Sequence, residues 1–250
     1  MVHALNPGEV VLWWMDLGSP PAAVIAKWRA CLDAAEQAHA DRFRFQEDRW
    51  TYIGAHWLVR TALASVGGLR PADWRFVVDQ LGKPRIDPAL GRPAFEFNLS
   101  HTRGFAACAV CLGTEIGIDV EALGRRRGSL DVAQRLFSSS EVSILRHTAQ
   151  DQQADMFFRL WTLKEAFIKA TGEGLSRALD SFSFSLDPVS IALGQGRADE
   201  ETQWQFIEQR PTTQHLLALA VRRPAALPVS LTVRPIHPPA CECHESASAI

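Results

Sequence analysis

Two short stretches of the chain carry residue types suited to phosphate chemistry. Residues 161–169 read WTLKEAFIK, and residues 117–121 read GIDVE. In and before the first, Met156, Phe157, Phe158, Leu160, Trp161, Leu163, Phe167 and Ile168 cover most of a helical circumference. A helix that is apolar almost all round is normally buried. Lys164, Glu165 and Lys169 interrupt that run, and Glu165 and Lys169, four apart, share a face. A buried charge is costly unless it is paired or bound to a metal, so Glu165 requires a partner. The second stretch offers one. Ile118 and Val120 alternate with Asp119 and Glu121, which is the period of a strand. Both carboxylates then leave one face, about 6.5–7 Å apart along the backbone. Like charges so placed repel, and a divalent cation between them removes the repulsion. Asp119, Glu121 and Glu165 make an all-oxygen set with room for waters and a phosphate, which suits Mg²⁺ better than zinc. The competing reading is an exposed strand edge and a surface ion pair between Glu165 and Lys169. Either stretch alone is better explained that way; the two together favour the metal.

The elements that must position these residues follow from pattern and punctuation. Residues 9–17 read as a first strand, and Pro20 and Pro21 open a helical region to about residue 45. A helix over 47–66 carries Arg49, Tyr52, His56 and Arg60, with Gly67 and Gly68 as its stop signal. Residues 74–80 alternate as a strand, and 81–84 form a turn by their Gly and Pro. Residues 95–99 are a strand ending in a polar turn over 100–104, with further strands over 105–112 and 115–121. A basic loop, Arg125 to Arg127, precedes a short helix over 130–137. Ser138 and Glu141 have capping-box spacing, so another helix starts there. The central helix ends near Thr171 and Gly172. Strand-like segments return at 182–186, 203–208, 215–221 and 229–233. Helices followed by runs of short strands, twice over, predict an α+β fold rather than a doubly wound sheet.

Bulk properties narrow the class. The chain has 250 residues, enough for one large domain or two small ones. With 47% apolar and 22% charged residues it has the composition of a soluble globular protein. A formal net charge of −2 gives no basic excess for nucleic acid. No apolar run has transmembrane length and no signal-peptide pattern opens the chain, so a cytoplasmic location is expected. Of the five cysteines, Cys108 and Cys111 form a C-x-x-C inside an apolar strand and read as buried thiols. No second such pair follows at zinc-ribbon spacing. Cys241, Cys243 and His244 fall in a small, polar tail expected to fray.

Four motifs together resemble the larger, single-chain 4′-phosphopantetheinyl transferases: Gly82-Lys83-Pro84, Asn98-Leu99-Ser100-His101, the GIDVE strand and the WTLKEAFIK helix. They stand in that family's order, and the resemblance runs from about residue 41 to residue 186. It implies a pseudo-dimer of two similar α/β halves: residues 1–113 binding coenzyme A, residues 114–235 bearing the metal carboxylates, and a loose tail over 236–250. The implied reaction moves the phosphopantetheine arm of coenzyme A to a serine of a carrier protein and releases adenosine 3′,5′-bisphosphate. By resemblance, Asp119, Glu121 and Glu165 hold Mg²⁺ or Mn²⁺, and Glu165 is also the general base, acting directly or through a metal-bound water. Lys169 stabilises the leaving group. Lys164 either assists or is a helix-surface lysine. His101 contacts the 3′-phosphate, with Ser100 and Lys83 nearby. Thr51 stands where the family commonly has an arginine, and Arg44 or Arg49 is expected to substitute. The segment 122–137, with Arg125, Arg126 and Arg127, is the expected docking edge for an acidic, helical carrier, and the chain is expected to be a monomer. A metal-dependent phosphohydrolase acting on coenzyme A or a nucleotide, or a non-catalytic coenzyme-A- or carrier-binding module, are the alternatives.

Overall fold

The computed structural model describes residues 3–124, 130–223 and 228–236. In chain order its elements are β1 (Glu9–Asp16), α1 (Ala22–Arg29), α2 (Ala34–Ala40), α3 (Gln46–Gly67), β2 (Phe76–Val78), β3 (Pro84–Ile86), β4 (Phe95–Thr102), β5 (Phe105–Leu112) and β6 (Ile116–Ala122). There follow α4 (Leu130–Leu136), α5 (Ser139–His147), α6 (Gln153–Thr171), β7 (Ser183–Leu186), β8 (Val189–Ala192), α7 (Ala198–Glu201), β9 (Trp204–Thr212), β10 (His215–Arg222) and β11 (Ser230–Ile236).

Two strands explain the layering. β5 reads FAACAVCL and β10 reads HLLALAVR, and each is buried from its first residue to its seventh. Strands without a solvent face must be covered on both sides. In β5, Ala106, Cys108 and Val110 join the core under α3, while Phe105, Ala107, Ala109 and Cys111 face the other sheet. In β10, Leu216, Ala218 and Ala220 pack under α6, while Leu217, Leu219 and Val221 meet Phe105 and its neighbours. The layers are therefore α3, the sheet β11-β1-β5-β4, the sheet β6-β10-β9, and α6. A 22-residue helix lies on an antiparallel β1-β5-β4 set, and a 19-residue helix lies on an antiparallel β6-β10-β9 set. These are the two similar halves of an α+β fold. β11 returns to the first sheet and pairs in parallel with β1.

Several elements differ from expectation for local reasons. The helical region over 20–45 is broken into α1 and α2 by a capping box, in which Asp33 accepts from the Glu36 N–H and Glu36 from the Asp33 N–H, both at 2.9 Å. The strand over 74–80 shrinks to β2, which pairs with β3 over three residues, and Pro71–Asp73 before it forms a turn of 3₁₀ helix. The polar turn expected at 100–104 is the end of β4: Ser100, His101 and Thr102 keep pairing with Ala107, Ala106 and Phe105. Only Arg103 and Gly104 turn, with Gly104 at φ +74°. β8 lacked a sequence signal. The stop at Gly68 and the end of α6 at Gly172 are left-handed glycine caps, as expected. Cys108 and Cys111 are buried free thiols. No described helix is long and apolar enough to cross a membrane. The basic run Arg125 to Arg127 and the residues Cys241, Cys243 and His244 lie outside the described residues.

Candidate active site

The site is built where α6 lies on β6. Gly117, Asp119 and Glu121 pair with Ala220, Ala218 and Leu216, whose side chains pack under α6, so all three share that face. Ile116, Ile118 and Val120 point the other way, into the layer between the sheets. A Cβ on Gly117 would lie 2.0 Å from the Ala166 carbonyl oxygen and 2.3 Å from the Ala170 nitrogen. The helix backbone therefore rests directly on the strand, and only glycine permits it. That contact brings Glu165 and Lys169 over Asp119 two residues further along. The chemical role of Gly117 escaped the sequence reading, although a glycine amid β-branched strand residues is a recognised sign of close backbone approach.

At Asp119 the two carboxylate oxygens differ. Oδ1 accepts from the Ser100 hydroxyl at 3.0 Å and from Lys169 Nζ at 2.6 Å. Oδ2 is buried with no hydrogen-bond partner. The Ser100 hydroxyl in turn accepts from the Val120 N–H at 3.2 Å and from Lys169 Nζ at 3.0 Å. Two residues back, Asn98 Oδ1 accepts from the Ile118 N–H at 2.9 Å. β4 and β6 are edge strands of different sheets, and these two side chains satisfy the N–H groups that the β6 edge presents to β4. Glu165 is half-buried; burial, then the Asp119 charge, raise its pKa, and Lys169 opposes them. Glu121 is half-buried on the same strand face. Among the described residues, no three His, Cys, Asp or Glu side chains converge tightly enough to hold a metal ion by themselves. Mg²⁺, however, characteristically takes one or two carboxylates and completes its octahedron with water and phosphate oxygens. A buried oxygen without a hydrogen-bond partner, on a carboxylate near enough to Glu165 to raise its pKa, fits such an ion.

Strand alternation separates Ser100 from His101. His101 emerges on the α3 side of β4. It is exposed, which governs its access to an anion, yet its surroundings are crowded enough for desolvation to lower its pKa, with the His56 and Lys169 charges adding to the effect. The turn beyond it docks on α3: the Gly104 N–H donates to Thr51 Oγ1 at 3.2 Å, and Arg103 pairs with Glu47. Thr51 is thus a buried support of this turn. Arg44 is exposed, with its guanidinium over the Phe45 ring. Arg49 donates to the carbonyls of Asp41 and Phe43 and lines a cavity of about 490 Å³ between α1 and α3, which none of the other candidate residues line. Lys83 is buried, with Nζ donating to the carbonyls of Ile116 at 3.2 Å and Ala170 at 3.0 Å. It ties the β2–β3 turn to both β6 and α6, and burial lowers its pKa.

Lys164 is neither in this cluster nor on the surface. It is fully buried and pairs with Glu141 at 2.8 Å, while donating to the carbonyls of Leu179 and Phe182 at 2.7 and 2.8 Å. Glu141 also accepts from Ser138 and from the Phe184 N–H. A buried ion pair whose remaining sites are all hydrogen-bonded is the tolerable form of such a pair. It joins α5, α6 and β7 inside the second core. Sequence reasoning recognised the Ser138–Glu141 capping box but had no means of finding its third partner.

Comparison with known proteins bears on the whole arrangement. The family model of the 4′-phosphopantetheinyl transferase superfamily matches residues 115–220, and that of the 4′-phosphopantetheinyl transferase N-terminal region matches residues 19–112. A 4′-phosphopantetheinyl transferase of Bacillus subtilis is 43% identical over 67% of this chain and 73% of its own length. The 4′-phosphopantetheinyl transferase HetI of a Nostoc species is 32% identical over 85% of this chain and 87% of its own. The human L-aminoadipate-semialdehyde dehydrogenase-phosphopantetheinyl transferase is 29% identical over 80% of this chain and 71% of its own. With both halves matched and the GIDVE strand seated under the WTLKEAFIK helix, the chain belongs to the 4′-phosphopantetheinyl transferases and is an enzyme of that class.

Proposed function

We propose that the enzyme takes the phosphopantetheine arm from coenzyme A and places it on a serine hydroxyl of an acyl or peptidyl carrier protein. The observation that carries the reading is the Asp119 carboxylate, with one oxygen bonded to Ser100 and Lys169 and the other buried and unpartnered beside Glu165. Asp119 and Glu165 would hold Mg²⁺, with Glu121 of the same strand face completing the acidic set through water, and Mn²⁺ as a substitute. When bound, the ion neutralises charge on the pyrophosphate. Glu165 would take the proton of the attacking serine. The new bond joins the serine oxygen to the β-phosphorus, and the bond from that phosphorus to the bridging oxygen breaks. Adenosine 3′,5′-bisphosphate departs with its developing charge beside the Lys169 ammonium. His101, exposed and close to the charges of His56 and Lys169, is the proposed contact for the 3′-phosphate, with exposed Arg44 available to assist. Lys83 holds the β2–β3 turn against β6 and α6. Arg49, already committed to loop carbonyls, is left out of the ligand set.

The test is intact-mass spectrometry of an apo-carrier incubated with the enzyme, coenzyme A and Mg²⁺. The expected result is a gain of one phosphopantetheine arm, abolished by EDTA and by Glu165→Gln. No gain on fatty-acid, polyketide and peptide-synthetase carriers alike would overturn the reading. A gain that survives Glu165→Gln would retain the reaction and remove Glu165 as the base.

A further inference from the structure

Where α6 crosses β6, two backbones meet with no side chain between them: a Cβ on Gly117 would stand 2.0 Å from the Ala166 oxygen and 2.3 Å from the Ala170 nitrogen. Lys83 reaches this crossing from elsewhere in the chain. It closes the turn between β2 and β3, in the first half, whereas β6 and α6 belong to the second. The turn gives its side chain a fixed origin. Asp79 Oδ1 accepts from the Lys83 N–H at 2.9 Å and from the Leu81 N–H at 3.0 Å, and the Asp79 N–H donates to the Lys83 carbonyl at 3.1 Å. From there the stem passes Gly172, the cap of α6, where a Cβ would lie 3.7 Å from Lys83 Cδ. The buried ammonium donates to the carbonyl of Ile116, the first residue of β6, at 3.2 Å, and to that of Ala170, the last residue but one of α6, at 3.0 Å. The last carbonyls of a helix have no partner within it and carry the negative end of its dipole. A cation bonded to one of them and to the strand beneath ties the helix end to the strand at the place where they touch.

We propose that Lys83 is a positioning residue for the transfer reaction: it binds the end of α6 to the start of β6 and so holds Glu165 and Lys169 over Asp119. Lys169 directly precedes the tethered Ala170, and Glu165 lies about one helical turn before Lys169, so a shift of the helix end carries both. Gly117 allows the close approach, and Lys83 retains it. Because the lysine comes from the first half, that half sets the geometry of the acid–base face of the second. The proposal rests on the roles given above to Glu165 and Lys169. Loss of the tether acts on the rate constant rather than on the grip on either substrate, since misplacing reacting groups by about 1 Å commonly costs about 100-fold in rate.

The experiment combines steady-state transfer to an apo-carrier with hydrogen exchange followed by mass spectrometry, in the wild type, Lys83→Met and Lys83→Gln, with Glu165→Gln as a reference. Lys83→Met keeps an unbranched stem and removes the charge and the donors. Its kcat should fall about 10–100-fold, while the KM values for coenzyme A and for the carrier stay within about threefold. Exchange should quicken in peptides covering residues 163–172 and keep the wild-type rate in β5 and β10, which a general loss of stability would quicken as well. Lys83→Gln, also without the ammonium, should show the same pattern and carries the test if Lys83→Met fails to fold. An unchanged kcat in both variants would overturn the proposal. So would a rise confined to the KM for coenzyme A, which would make the lysine a ligand contact, or a fall in kcat with unaltered exchange at the end of α6. If Glu165→Gln itself transfers at the wild-type rate, the reading of Glu165 fails, and that outcome is distinct from a failure confined to the Lys83 variants.

Discussion

Replacing Gly117 by alanine adds one methyl group and sets two effects against each other. Glycine inside a strand is entropically costly, so alanine alone would stabilise by about 0.5–1 kcal/mol. At Gly117, however, the added Cβ would stand 2.0 Å from the Ala166 oxygen, 2.3 Å from the Ala170 nitrogen and 2.9 Å from the Ala170 Cα, where Cβ contacts under 3.0 Å are essentially never seen. The obstruction is helix backbone, which cannot swing aside as a side chain can. Moving the nearest atom from 2.0 to 3.0 Å displaces α6 by at least 3.0 − 2.0 = 1.0 Å. Overpacking of this kind costs about 1–3 kcal/mol and occasionally more. For a chain of this size each kcal/mol lowers Tm by about 2–4 °C, so a fall of about 2–12 °C is expected. The same movement acts on the 2.6 Å contact between Lys169 and Asp119. A shift of about 1 Å along it would end the hydrogen bond, and misplacement of that size commonly costs about 100-fold in rate. Thermal melting by circular dichroism and carrier modification followed by intact mass would read both effects. A Gly117→Ala enzyme that melts at or above the wild type and transfers within a few-fold of it would refute the close-packing argument.

Two further expectations concern stability. Lys164→Met strands the Glu141 carboxylate in the core, and removing one partner of a buried pair costs about 3–5 kcal/mol; Lys164→Met with Glu141→Gln should recover much of it in urea unfolding, and a single-variant loss below about 1 kcal/mol would contradict the structural role given to Lys164. His215, buried and stacked on Phe105 at 4.3 Å, bridges the two halves, and desolvation lowers its pKa below the ordinary 6.5, opposed by Asp16. Its contribution to stability is therefore complete above pH 6.5 and drains away as the pH falls towards the lowered value. His215→Phe keeps the stacking and removes the titration, so its Tm should fall less than that of the wild type between pH 7.5 and 5; equal falls would sink the assignment.

How much of the site was legible depended on whether its signal was local. The alternation in GIDVE placed Asp119 and Glu121 on one face, and the four-residue spacing placed Glu165 and Lys169 on one side of a helix; both follow from backbone periods and survived unchanged. Glycine caps at Gly68 and Gly172 and the capping box at Ser138 and Glu141 were equally local. Ser100 was misread for a similarly physical reason. Polar residues at the end of a short apolar run look like a turn, whereas pairing with Ala106 and Ala107 on a fully buried neighbour extends the strand through them.

The sequence by itself determined most of the elements, the α+β class, and the side of strand or helix on which the site's charged residues lie, because those depend on periodicity and on residues a few positions apart. Tertiary structure alone decided what each charge meets. Lys164 and Lys169 lie five apart on one helix. One faces the closed core around Glu141 and is consumed there; the other faces β6 and stands on Asp119. No pattern in the chain distinguishes them, since their partners lie 23 and 50 residues away in sequence and meet them only when α6 packs between α5 and β6. The absent side chain of Gly117 sets how closely that packing can be made, and so whether the carboxylates and the lysine form one site.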